Sequence, residues 1–452
     1  MYHQNRRNFI KNAATASVGA FISPVIISSC TGKKSPSDKL HVAFIGAGGK
    51  GMHALNLLVN HPKLKVVALA DVNDVSADKA YKLLPNIPHF RDFRKMLDDL
   101  NKQIDAVIIS TPDHTHHYIT KWCMKMGKHV YLEKPLAHNI REVRDLMDLE
   151  RETGLVCQMG NQGHSGPGIK QLNEWIQKGY LGEVSEVHAW TNVGWNNANA
   201  TRPEAQPVPE TLDWDLWLNA ATEVAHNKAY YPGVWRGWNE FGSGALGDWA
   251  CHNMDAPYFA LGLDCPEKVE LESTGPSLLS FPESVKLCYT FKSPKYGNQV
   301  KFNWYQGPKF KAPRPAQLEE GRAMGNEGGG TLIVGSKATV MMNSHATSPC
   351  FIPQSKQMEM ADLIKVKMNP NAPKTYWNGH YDNWINSCLG LEKPNSDFAY
   401  GGRLTETMLF GNIAIKTNKS LTIDPVTRKI LNDPEASAFI ENPMPRKGWE
   451  VK

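Results

Sequence analysis

A chain of 452 residues, 41% hydrophobic and 21% charged, is too long for one ordinary core and has the makeup of a soluble globular protein of two domains. Its formal net charge is +5, three of the positive residues fall in an N-terminal segment expected to be removed, and no basic block suggests nucleic acid. Beyond that segment no run is apolar enough over sufficient length to span a bilayer.

The first residues read as an address. Asn5-Arg-Arg-Asn-Phe-Ile-Lys11 resembles a twin-arginine export signal, the weakly apolar run Ala13 to Ile27 follows, and Ile27-Ser-Ser-Cys30 resembles a lipobox. The expectation is a signal over 1–30, a lipid anchor on Cys30, a tether over 31–39 and a place in the periplasm or cell envelope. The other seven cysteines show no framework or ligand spacing, so no structural disulfide is expected.

The chain then reaches its organising stretch, His41-Val-Ala-Phe-Ile-Gly-Ala-Gly-Gly-Lys-Gly51. A short apolar strand runs into Gly46-x-Gly48-x-x-Gly51 and then into the helical spacing of Met52 to Val59. Such a turn bends tightly at its first glycine, lets backbone approach a pyrophosphate at the second and packs helix on strand at the third. Gly46, Gly48, Gly49, Lys50 and Gly51 are therefore cofactor-binding candidates, with helix-start N–H groups facing the anion. The next strand, Lys65 to Ala70, ends on Asp71, where a dinucleotide site needs a carboxylate for ribose hydroxyls; its charge would repel a 2′-phosphate, which favours NAD over NADP.

Two helical pieces around a short strand near Pro88-His-Phe90 follow, then strands at Ile104 to Ser110, His129 to Glu133 and Leu155 to Met159 with a helix over Thr115 to Gly127. Strand and helix alternate, as in a doubly wound parallel sheet. The loops after its strands carry chemistry: Thr111-Pro112-Asp-His-Thr-His116, Glu133-Lys134-Pro135, and Gly160-Asn-Gln162. His114, His116 and His117 crowd one turn without a carboxylate or thiolate pattern, so no metal site is expected.

On these motifs the chain resembles the Gfo/Idh/MocA oxidoreductase family, from about Leu40 to Lys419. The resemblance implies a Rossmann NAD-binding domain over 40–160, an α+β substrate and oligomerisation domain over 161–423 with an open, mainly antiparallel sheet, and a catalytic lysine at Lys134. It also implies Thr111, Pro112, His116, Glu133 and Lys134 near the cofactor, where Gln162, Trp235 and Arg236 are further cofactor-binding candidates of this sequence, a homo-oligomer (dimer or tetramer) formed through the outer face of the second sheet, and an Asp-x-x-x-His pair at Asp248 and His252. A lysine at a strand end beside a positive nicotinamide is expected to have a lowered pKa. Whether the Lys134–Pro135 peptide is cis is open at this point.

In the second domain, strand-like runs appear at Val184 to Trp190, Lys268 to Thr274, Ser284 to Phe291, Gln299 to Tyr305 and Thr331 to Met342. Between the first two lies an insert that holds seven of the chain's thirteen tryptophans, Trp190 to Trp249. Indole faces suit a sugar ring; Trp214 and Trp217 read as packing, and Trp235, Arg236 and Trp238 as pocket lining. Asp248 and His252 are four apart on a helix and share a face. His252 is the expected general base, with Asp248 orienting it. His164, Trp238, Asp248, His252 and Tyr381 are the substrate-binding candidates, with His380 beside them. Residues 424–452 read as a surface tail.

The functional expectation is oxidation of a hydroxyl of a sugar or glycoside, at C3 for example, by tightly bound NAD. Twin-arginine export carries folded proteins, so the dinucleotide could leave with the chain, and a redox partner or return of the hydride would then close the cycle. Two alternatives stand beside it: an NAD-dependent, redox-neutral glycosidase working through a transient 3-keto intermediate, and a lipoprotein that binds carbohydrate without turnover.

Overall fold

A computed structural model describes residues 39–195, 201–275, 279–364, 375–441 and 445–451. The export signal, the Cys30 anchor and all of the tether but Lys39 lie outside the described residues.

The first sheet comprises β1 (Leu40–Ile45), β2 (Leu64–Ala70), β3 (His89–Phe90), β4 (Ala106–Ile109), β5 (His129–Glu133) and β6 (Cys157–Gly160), in the order β3-β2-β1-β4-β5-β6. Every neighbouring pair is parallel. This order reverses direction beside β1, and the crevice outside the strand ends at that point is where such sheets bind ligands. The apolar runs are buried on both faces, as parallel strands under helices must be: Val42, Ala43, Phe44, Val107, Ile108 and Ile109 are all inaccessible.

The second sheet comprises β7 (Val184–Trp190), β8 (Lys268–Ser273), β9 (Val285–Lys292), β10 (Gln299–Gln306), β11 (Gly330–Gly335), β12 (Thr339–Asn343), β13 (Thr347–Ile352), β14 (Leu421–Asp424) and β15 (Lys429–Ile430). Their order is β13-β12-β11-β7-β10-β9-β8-β14-β15, antiparallel except where β10 pairs with β7. The single run read over Thr331 to Met342 is a hairpin, because Gly335-Ser-Lys-Ala338 turns the chain between β11 and β12.

The outer face of this sheet is part charged and part covered. Part of it is an ionic ladder, with Lys268–Glu270 at 2.6 Å and Lys286–Glu272 at 2.7 Å. The apolar part, Trp190, Tyr305, Leu332, Met341 and Ile352, is covered by the chain's own loop through Phe310, Leu318 and Met324.

Both sheets contribute to one continuous core, which explains why the closing helices matter. The helix Phe398–Thr417 is buried along most of its length and packs on the helix Ile140–Thr153, on the helix Gly244–Asn253 and on β8. It carries the inaccessible Glu406, held by Arg144 at 2.6 Å and by Arg428. The helix Tyr376–Cys388 crosses back to the first sheet, where Tyr381, Trp384 and Ile385 join the core under β1 and the helix Gly49–Leu58. Trp384 donates its indole N–H to the Val130 carbonyl at 3.1 Å.

The segment after 424 is not a surface tail. It forms β15 and the helix Pro434–Ala438, and buries Ile430, Ala436, Ile440 and Trp449. Its charged composition is outweighed by this sparse apolar set, a pattern that needs a partner surface to become visible. Arg446 clasps the Asn219 carbonyl at 2.8 Å and Asp215 at 2.8 Å, and the Arg94 guanidinium covers Trp449 at 4.3 Å from the ring centre. Trp449→Ala should destabilise the fold by about 3 kcal/mol in chemical denaturation, the scale for removing a packed indole; a change below about 0.5 kcal/mol would make the segment dispensable.

Candidate active site

The cleft begins at the glycine turn, where Gly46, Gly48 and Gly51 each have a steric reason. A Cβ on Gly46, whose φ is +84°, would stand 2.6 Å from the Ser110 carbonyl oxygen; one on Gly48 would stand 2.7 Å from the Ser76 oxygen, and one on Gly51 only 1.8 Å from the Gly46 oxygen. β1, β4 and the helix starting at Gly49 can meet this closely only without side chains. Asp71 is tied to the same turn, accepting from the N–H groups of Ala47 at 2.9 Å and Gly48 at 3.0 Å, while its other oxygen accepts from Asn73 at 2.9 Å.

From this turn a cavity of about 550 Å³ runs across to the insert and the second sheet. Gly46, Gly48, Gly49, Lys50 and Asp71 line its nucleotide end, and Thr111, Pro112 and Glu133 its middle. Lys134, Trp235, Arg236, Asp248 and His252 line the far part. The residues fit a dinucleotide on the structure's own terms: the helix N-terminus presents N–H groups without a partner inside the helix, and the buried Ser110 Oγ and Glu133 Oε2, both on the cavity wall, have no protein hydrogen-bond partner.

At the centre lies an ion pair. Lys134 Nζ donates to Asp248 Oδ1 at 2.5 Å and to the Asp248 carbonyl at 2.8 Å. The same carboxylate accepts from Arg236 Nε at 3.2 Å and from Trp195 Nε1 at 2.6 Å. Arg236 is itself stacked on Trp235, 4.3 Å from the ring centre, and faces Trp195 at 5.3 Å. Burial alone would raise the Asp248 carboxyl, but Lys134 and Arg236 bring it down to about 2. Burial likewise pulls the Lys134 ammonium down, and the Asp248 carboxylate more than restores it, leaving its pKa above the ordinary lysine value. This corrects the expected lowering: the partner at 2.5 Å acts more strongly than burial. The Lys134–Pro135 peptide is cis.

His252 shares a helix with Asp248, yet Asp248 spends its oxygens on Lys134, Arg236 and Trp195 and so braces the lysine. The His252 ring is 6% exposed, its Nδ1 has no partner, and it stacks on His345 with ring centres 4.1 Å apart. Burial first, then His345, Lys134, Lys50 and His380, hold its pKa well below the ordinary histidine value, so the imidazole is neutral and able to accept a proton.

Other expected contacts fall away from the cavity lining. His116 is 1% exposed, its Nδ1 2.8 Å from the Pro135 carbonyl and its Nε2 2.9 Å from that of Thr111, so it fastens two site loops together. Gln162 donates to Tyr131 and to Glu133 Oε1, each at 2.8 Å, and positions that carboxylate from behind. His164 is paired with Asp255 at 2.9 Å in a buried cluster with Asn161 and Tyr400. Trp238 gives its N–H to the Ala229 carbonyl within the insert's small aromatic core, and His380 and Tyr381 are inaccessible beneath the first sheet. His164, Trp238, His380 and Tyr381 are thus packing residues: burial behind the loops, not distance along the chain, removes them from the cleft. Trp214 stacks on Trp217 at 4.6 Å as packing, although the edge of Trp217 also reaches the cavity.

Several lining residues were not legible beforehand. Asp113 accepts from the Ser243 N–H at 3.1 Å, and burial raises its carboxyl to about 7 against the pull of Arg236 and Lys134; its place in a loop after a strand was the available signal. Trp377 caps the Lys50 ammonium at 3.6 Å, and His345 arrives on the turn between β12 and β13. Among the described residues there is no cluster of three or more metal-ligating side chains. The seven described cysteines are free.

Two family models match this chain in tandem, and the first spans the cradle just described: an oxidoreductase family, NAD-binding Rossmann fold over residues 40–161, and an oxidoreductase family, C-terminal alpha/beta domain over 166–289. The chain belongs to the Gfo/Idh/MocA oxidoreductase family. Its family members include a scyllo-inositol 2-dehydrogenase (NAD(+)) of Bacillus subtilis, 30% identical over 32% of this chain and 42% of that protein. A glycosyl hydrolase family 109 protein of Shewanella pealeana is 26% identical over 40% of this chain and 44% of that protein. The matches thus span less than half of either relative. The WlbA dehydrogenase of Bordetella pertussis, solved with NADH and UDP-GlcNAcA, shares the fold with a TM-score of 0.60 at 17% identity, over 86% of this chain and 99% of that one.

Proposed function

We propose that this family member oxidises a hydroxyl group of a sugar or glycoside with tightly bound NAD. The observation that carries the reading is the Lys134–Asp248 ion pair beside a neutral, buried His252, all on the wall of the cavity that begins at the glycine turn. NAD, held by the Gly46–Gly51 turn, Asp71 and the Thr111 and Glu133 loops, supplies a hydride acceptor when bound. His252 accepts the hydroxyl proton, since its pKa leaves it neutral through the physiological range. Lys134 Nζ, fixed by Asp248, donates a hydrogen bond to the oxygen that gains carbonyl character. Trp249 and His345 line the cavity beside His252 and offer ring surface to a pyranose or cyclitol ring.

Two observations favour a second outcome at the same site. Relatives include glycosyl hydrolase family 109 proteins, and His345 adds another imidazole to the cavity. In that reading the oxidation is transient, the aglycone leaves by elimination, water adds in its place, and the ketone is reduced again by the hydride held on the same cofactor. The N-terminal pattern around Arg6, Arg7 and Cys30 supports export with the dinucleotide already bound and attachment to the cell envelope. An exported oxidoreductase would need a redox partner or a redox-neutral cycle.

Product mass spectrometry on the as-purified protein, with a glycoside panel and no added NAD, separates these outcomes. A stoichiometric product about two mass units lighter, the loss of hydride plus proton, is the expected result. Catalytic release of free sugar without that change would replace oxidation with redox-neutral hydrolysis. No turnover together with no bound dinucleotide would leave a carbohydrate-binding protein.

A further inference from the structure

His345 sits on a turn that the fold builds with unusual exactness. His345, Ala346 and Ser348 have φ values of +59°, +54° and +51°, in the left-handed region that side-chain-bearing residues rarely adopt. The turn is seated in two glycine notches, one in the turn Gln162–Ser165 and one in the helix Pro167–Gln177: a Cβ on Gly163 would stand 2.4 Å from the His345 oxygen, and one on Gly168 2.0 Å from the Ala346 oxygen. Three strained residues held between contacts this close mark a place where the backbone is over-determined. What this arrangement delivers is one ring. The His345 imidazole lies parallel within 29° to that of His252 at 4.1 Å, with Trp249 edge-on to both at 5.6 Å and 6.1 Å.

We propose that His345 is a positioning residue for His252: its stacked ring fixes the base's imidazole and keeps water from one face, so that His252 stays unprotonated. Two ammonium groups from different elements face the pair. Lys50 comes from the helix at the glycine turn and Lys134 from the end of β5; His380, from the helix Tyr376–Cys388, is itself held neutral by burial, its pKa pushed down to about 3, and Asp248, the nearby anion, is engaged by Lys134 and Arg236. A proton on His252 would therefore sit on a buried ring beside two ammonium groups. The base is reserved for a proton from a bound ligand, whose own groups replace the missing solvent.

The catalytic consequence rests on the reading of His252 as base, but the imidazole can be read without substrate. Long-range 1H–15N spectra of the full-length protein labelled with 15N-histidine, taken from pH 5 to 8 and assigned with His252→Asn, give its protonation directly. Wild type should show His252 neutral throughout. His345→Asn, which tolerates the left-handed backbone, should bring its midpoint up into this range, toward the ordinary value near 6.5. His345→Phe, which restores a flat ring without a titrating nitrogen, should keep His252 neutral. His114 and His138, buried elsewhere, should stay neutral in every variant and report an intact fold. A His252 signal unchanged in His345→Asn, or one that titrates equally in His345→Phe, would overturn the inference. If the spectra behave as expected but no glycoside is turned over, the assignment of His252 as a substrate base fails and the positioning role stands.

Discussion

Replacing Lys134 by methionine should reduce kcat by about 10³-fold, within the 10²–10⁴ range for a positioned proton-handling group, while the protein keeps its bound dinucleotide. Methionine preserves the stem's volume but removes the ammonium that would face the reacting oxygen. The Asp248 carboxylate left behind retains Arg236 at 3.2 Å and Trp195 at 2.6 Å, so it is not stranded and the site should remain folded. Single-turnover reduction of the bound cofactor, followed by its absorbance, checks this; a loss smaller than about fivefold would remove Lys134 from the chemistry. Asp248 also bounds the pH behaviour. Its carboxyl is depressed to about 2, so the ion pair's contribution is fully present above the ordinary carboxyl range and is lost only as pH falls through that low value. An acid limb at ordinary carboxyl pKa values would therefore come from another group.

Gly51→Ala should cost about 3 kcal/mol of stability, at the upper end for a core that cannot accept a methyl, and should empty the protein of dinucleotide. The added Cβ would fall 1.8 Å from the Gly46 carbonyl oxygen, where the collision is with backbone and not with a movable side chain. Relief requires the helix Gly49–Leu58 to draw away from β1, which also withdraws its N–H groups from the anion site. Gly49→Asn in the same turn is the matched control. It has open space around it and a φ of +47° that asparagine tolerates, so its stability should change by less than about 1 kcal/mol. Denaturation curves and the absorbance of released nucleotide report both effects; equal stability of the two variants would show that the turn's close packing is not what holds it.

Much of the first domain was legible because its signals are local. β1, the glycine turn, Asp71 and the Thr111 and Lys134 loops each announce themselves within a few residues, through an apolar run that must be buried and a breaker that must end it. Asp248 and His252 were readable as two residues on one helical face for the same reason. What each does was not readable. The spacing of four suggested that Asp248 serves His252, whereas its carboxylate lies 2.5 Å from Lys134, 114 positions earlier in the chain. The same contact reversed the expected shift of the Lys134 pKa.

The residues misplaced from sequence share a cause. His164, Trp238 and Tyr381 are polar or aromatic types next to site loops, and composition cannot tell a side chain turned into the cleft from one turned behind it. His345, Trp377 and Trp449 failed to appear for the converse reason, since each is brought to the cavity by an element whose own pattern speaks only of strand, helix or charged tail. Thus the sequence by itself determined the dinucleotide cradle and the residue types of an acid–base centre, because steric and periodic requirements of one turn, one strand or one helix are local. Only the tertiary structure decided which cation holds which anion, which ring lies on His252 and which indoles face the cavity, because those depend on distances between segments that meet only in the folded chain.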